Sequence, residues 1–148
     1  MEIYISIGAL VILAVLYPIL AYIHCPKEQC SGEVKDLIMS KGLIHFTMIE
    51  NAESIQREGL KPGKKKAMYP REKNFVWMYI NEADEFQAKL DLIHSKGERK
   101  EYNAVVVFQG ITESQVSRMK YRKKDMAVIY DGEFTTECIS VYKLGADK

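Results

Sequence analysis

The chain reads as α+β: an N-terminal transmembrane helix followed by a small domain with a mixed or split β-sheet. Three observations predict this. Ile3–Ile23 carries no charge and is rich in Ile, Leu, Val, Ala and Tyr. Downstream, short apolar runs alternate with capped helical periods. The stretch 43–144, about a hundred residues, is long enough for one hydrophobic core.

At about 1.5 Å rise per residue, a helix over Ile3–Ile23 would span a hydrocarbon layer of roughly 30 Å. A cleaved signal peptide would want a basic start and a small-residue cleavage site. Here Glu2 is the only side-chain charge ahead of the run, and Ala21-Tyr22-Ile23-His24-Cys25 suits cleavage poorly. Lys27, Lys35 and Lys41 follow the run and no Lys or Arg precedes it. The positive-inside rule then places the C-terminal domain in the cytoplasm of a single-pass cell-membrane protein. Residues 1–24 read as the anchor, 25–42 as a juxtamembrane linker with a short helix near Val34–Met39, and 43–148 as the domain.

Charge is balanced, with 21 Lys and Arg against 20 Asp and Glu, so net charge names no partner. Cys25, Cys30 and Cys138 form no disulfide framework. No P-loop, zinc-ligand spacing or Ser/His/Asp order stands out. Two basic clusters, Lys61–Lys66 with Arg71 and Lys120–Lys124, read first as solvated loops.

Within the domain, Leu43–Phe46 is apolar and reads as a strand. Thr47 and Glu50 have capping-box spacing for a helix over Met48–Glu58, which Gly59 stops. Phe75–Ile80 is aromatic and β-branched on both faces, as a buried strand would be. Asn81 caps a helix whose stripe is Phe86, Leu90 and Ile93. Tyr102–Gln109 is a third strand, Thr112 precedes a short helix over Ser114–Met119, and Met126–Tyr130 and Glu137–Leu144 complete about five strands.

Three sets of residues carry a family likeness. His45-Phe46-Thr47, the helix with Asn51-Ala52-Glu53-Ser54-Ile55, and Glu58-Gly59-Leu60-Lys61-Pro62 resemble the first motif of the ADP-ribosyltransferase superfamily. The branch is that of diphtheria toxin, the poly(ADP-ribose) polymerases, the DNA ADP-ribosyltransferase toxins and the RNA 2′-phosphotransferases. Phe75–Ile80 with its following helix is similar to the second motif, and Glu137–Tyr142 resembles the late strand that begins with the catalytic glutamate.

The resemblance implies an ADP-ribosyltransferase-like domain that uses NAD as substrate and cleaves its nicotinamide–ribose bond through an oxocarbenium-like centre. His45 and Thr47 would hold the adenosine side. An aromatic ring, Tyr79 or Phe86, would stack on nicotinamide. Glu137 would bind the nicotinamide ribose and stabilise developing positive charge. The sequence departs from the family at Phe86, where a tyrosine is usual.

The leading expectation is a membrane-anchored NAD-dependent ADP-ribosyltransferase acting on a macromolecular acceptor, protein or nucleic acid. One alternative is a catalytically inactive binding or interaction module on the same fold. The other is an RNA 2′-phosphotransferase-like enzyme, whose phosphate pocket would draw on Arg57, Arg71, Arg99, Arg118 and Arg122.

Overall fold

Seven strands form one sheet in the order β1-β5-β6-β3-β2-β4-β7, and every neighbouring pair is antiparallel. The strands are β1 (Glu28–Gln29), β2 (Leu43–Thr47), β3 (Phe75–Ile80), β4 (Ala104–Gln109), β5 (Lys120–Arg122), β6 (Ala127–Asp131) and β7 (Cys138–Lys143). Among the described residues three helices accompany them: α1 (Gly32–Lys41), α2 (Ile49–Glu58) and α3 (Glu113–Ser117). This computed structural model describes residues 16, 28–63, 74–82, 102–123 and 126–144.

The expected α+β architecture, a transmembrane helix ahead of a mixed or split sheet, is corrected on two counts. The sheet is single and wholly antiparallel, and it has seven strands rather than about five. Among the described residues no helix is long and apolar enough to cross a membrane; of Ile3–Ile23 only Leu16 is described, and it is exposed. A mixed sheet would have paired some neighbours in parallel. Instead, β3 lies antiparallel to β2, so the chain leaving α2 returns to the end of the sheet from which β2 departed. The longer stretch after Gly59 makes that return feasible.

All three helices cover one face. Ile38 of α1, Ala52 and Ile55 of α2, and Val116 of α3 pack on Leu43, Val76, Met78, Ile80, Val106, Phe108 and Val128. Each large apolar side chain buried here contributes about 1.5–3 kcal/mol. Phe134 sits between Phe108 and Tyr130, with ring centroids 5.3 and 5.2 Å away in edge-on geometry. The opposite face carries a smaller cluster of Ile44, Phe46 and Val105, with Tyr79, Tyr102, Val107 and Leu144 against it.

The segment read as a linker belongs to this core. Cys30 and Ile38 are buried in it, and Glu28–Gln29 pair with β5. Ser31 caps α1 by accepting from the Val34 N–H. β3 is buried on one face only: Val76, Met78 and Ile80 are enclosed, while Phe75, Trp77 and Tyr79 are half-buried. Part of the second basic cluster is strand rather than loop, and Arg122 lies buried with its guanidinium 5.1 Å from the Trp77 ring centroid. The helix expected after Asn81, with Phe86, and most of Lys61–Lys66 with Arg71 lie outside the described residues.

Gly42 closes α1 and opens β2 in one residue. Its φ of 82° is a left-handed conformation, and a Cβ there would stand 2.3 Å from the Phe108 carbonyl oxygen. Gly42→Ala therefore combines backbone strain with a backbone clash at the sheet centre. It should lower stability by more than about 2 kcal/mol. Thermal denaturation should show a fall in Tm of roughly 5–10 °C.

Candidate functional site

The seam at the middle of the sheet is thin. β2 and β3 pair only at Leu43↔Ile80 and Ile44↔Tyr79, whereas β2 pairs with β4 along all five of its residues. The Asn81 N–H donates to the Gly42 carbonyl, which sets the phase of hydrogen bonding across the seam. In that phase an unbroken ladder would bring the Phe46 N–H to the Trp77 carbonyl. The strands part before reaching that pair.

His45 occupies the parting. Its Nδ1–H donates to the Trp77 carbonyl at 2.8 Å, using the acceptor that the ladder relinquishes. Burial disfavours the charged ring and lowers its pKa below 6.5, while the carbonyl partner opposes that shift more weakly. The result is a neutral imidazole with Nδ1 protonated. Nε2 is then an acceptor, and among the described residues it makes no hydrogen bond.

Thr47 is two residues along β2, on the same helix-covered face and about 7 Å from His45 between Cα atoms. It is buried and pairs with Ala104. It does not cap α2, as its spacing to Glu50 had suggested. Met48 is the N-cap and offers no side-chain hydrogen bond. The first helical N–H, that of Ile49, instead donates to Oδ1 of Asn103 at 2.8 Å.

The other singled-out residues stand apart from this pair. Tyr79 alternates with Met78 and Ile80, so it faces the opposite side of the sheet from His45, where its ring lies 5.9 Å from that of Phe46. Phe86 lies outside the described residues. Glu137 is exposed and precedes β7 rather than opening it. His45 aligns with Val106 and Val106 with Val141, which sets Glu137 four residues and two strands from His45, about 16 Å between Cα atoms.

Glu137 borders its own polar cleft, of about 550 Å³, with Thr112, Ser114, Gln115, Thr135 and Thr136. The polar groups there largely satisfy one another: Gln115 Nε2 donates to the Thr135 carbonyl at 2.8 Å, and Thr112 Oγ1 donates to Gln115 Oε1 at 3.1 Å. A second hollow of about 290 Å³ lies on the opposite face, floored by Ile44, Val105 and Val107. Neither takes in His45.

The rest of the first motif is structural here. Leu60 and Phe134 exchange two backbone hydrogen bonds, 2.7 and 2.9 Å, and Lys61 Nζ meets Glu58 Oε2 at 2.8 Å across Gly59. That ion pair is exposed and adds little stability. Two participants escaped sequence reasoning: the Trp77 carbonyl, which no side-chain pattern can mark, and Asn103, whose caplike chemistry lies far along the chain from the helix it serves. No protein family, curated protein or solved structure matches the chain.

Removing the imidazole leaves the Trp77 carbonyl without its donor, at a cost of about 1–3 kcal/mol. His45→Ala should therefore lower the unfolding free energy measured by urea titration at pH 7.5 by that amount. The pH dependence has a definite sign. The unfolded ring takes a proton near 6.5 and the folded ring resists it, so the stabilisation is complete above 6.5 and is lost progressively as pH falls toward the lowered folded value. Urea titrations across that interval should show the component in the parent chain and not in His45→Gln.

Proposed function

We propose that this domain is a binding module for a nucleotide, with NAD the ligand of choice, and that it holds NAD rather than cleaving it. The observation that carries the reading is the neutral His45 ring, fixed by the Trp77 carbonyl at the point where β2 and β3 part. An imidazole so oriented offers Nε2 as an acceptor for a ribose hydroxyl, the role that the resemblance of His45-Phe46-Thr47 to the first motif of the ADP-ribosyltransferases implies. Thr47, on the same face, supplies a hydroxyl nearby.

Turnover through Glu137 is disfavoured by position. A carboxylate that stabilises charge on the nicotinamide ribose must reach the same ligand that His45 holds, and hydrogen-bonded contact requires about 3 Å. Glu137 borders a cleft of its own that does not take in His45. Tyr79, on the other face, is likewise not arranged to stack on a ligand held at His45. These placements favour the inactive-module alternative over ADP-ribosyl transfer to a macromolecule.

The test is calorimetric titration of the full chain with NAD, ADP-ribose and nicotinamide, with nicotinamide release followed in parallel. NAD and ADP-ribose should bind with dissociation constants of about 1 mM or tighter, and nicotinamide alone should not. His45→Asn, which keeps a donor for the Trp77 carbonyl, should weaken binding by about three- to tenfold. No nicotinamide should be released. Release that disappears in Glu137→Gln would restore the transferase reading, and absence of binding at about 1 mM would remove NAD from consideration.

A further inference from the structure

The two edges of the sheet are unequal: β1 has two residues, and β7 has six with β4 as its one ladder partner. In an antiparallel ladder, successive residues turn their N–H and C=O groups alternately toward and away from the neighbouring strand. The Leu144 N–H donates to the Asn103 carbonyl, so Tyr142, Ser140 and Cys138 share that inward phase opposite Val105, Val107 and Gln109. Ile139, Val141 and Lys143 therefore present their backbone groups outward. Gln56 of α2 donates from Nε2 to the Ile139 carbonyl at 3.2 Å and covers one of them. Among the described residues nothing bonds the outward groups of Val141 and Lys143.

Proteins blunt such edges with proline, bulges or several charges, because an open row of N–H and C=O groups templates another strand. β7 has no proline, its register with β4 runs without a bulge, and its one charge is Lys143 at the end. We propose that β7 pairs antiparallel with β7 of a second copy of this chain, about a two-fold axis at Val141, to form one sheet across the dimer.

The strand is complementary to itself in that register. Val141 faces the partner's Val141, and Ile139 faces the partner's Lys143, so each outward N–H and C=O in the window meets a reciprocal group, with the Ile139 carbonyl accepting a second donor beside Gln56. The two lysines lie at opposite ends of the paired strands, and no like charges oppose one another. Tyr142, the most exposed large hydrophobic side chain described at 59%, comes to lie over the partner's Ser140. The short β1 edge cannot supply an equivalent ladder, which makes the contact isologous and closed rather than fibrous.

Sedimentation velocity and hydrogen exchange of the full chain over a concentration series test this. Dimer should form, with the Val141 and Lys143 amides gaining protection as concentration rises. Val141→Pro and Lys143→Pro each remove an outward N–H and no bond to β4, so each should raise the dimer dissociation constant by about tenfold or more. The thermal stability of the monomer should change little, and if Val141→Pro fails to fold, the exposed Lys143→Pro carries the test. A monomer at every concentration, an association unaffected by both prolines, or protection independent of concentration would each overturn the proposal.

Discussion

The bond between His45 and the Trp77 carbonyl joins the two halves of the sheet where its central ladder is short. On one side of the seam stand β1, β5, β6 and β3, and on the other β2, β4 and β7. Two residue pairs, the Asn81–Gly42 hydrogen bond and one imidazole join their strands at the seam. A fully paired seam would fix the halves rigidly but leave no side-chain group between them. Parting the strands exposes backbone polar groups, which a buried region tolerates only when they are satisfied. The imidazole satisfies one of them and keeps its Nε2 without a hydrogen bond among the described residues. Stability and any ligand chemistry at this place thus draw on the same ring.

That shared dependence explains why the remaining candidates matter less. Helices on one face bury Leu43, Val106 and Phe108 and so fix which way His45 and Thr47 point. The alternation of β3 sends Tyr79 to the other face for the same reason that it sends Met78 inward. Glu137 precedes the outermost strand, beside a cleft in which Thr112, Ser114 and Gln115 are engaged with one another. His45, Tyr79 and Glu137 thus occupy three separate places: the seam, the opposite face and the cleft ahead of β7.

Much of the sheet was legible because its strands are locally written. Leu43–Thr47, Phe75–Ile80 and Ala104–Gln109 stand out by apolar and β-branched content, and Gly59 marks the end of α2 through its left-handed φ of 83°. What escaped depends on pairing. β1 is two residues long, and β5 is a basic tripeptide whose Arg122 is buried only because Trp77 and β6 stand beside it. Direction escaped as well, since helices between strands signal crossovers whether or not the chain doubles back. At the site, His45 was visible as a residue type, but its partner is a carbonyl selected by register. Thr47 has the chemistry of a cap and the spacing of one, yet tertiary pairing with Ala104 keeps it in the strand.

Asn103 adds an order of events to this architecture. The α2 N-terminus has no cap of its own, and its first N–H is served by a side chain that stands just ahead of β4. A ten-residue helix is marginal in water by itself. α2 therefore gains its full complement of hydrogen bonds only after β4 has docked beside β2. During synthesis the first strand and helix of the motif emerge well before the residue that completes them. The N-terminal part of the domain must wait, incompletely bonded, for a residue made some fifty positions later, with the ladder between β2 and β4 as the step that commits both.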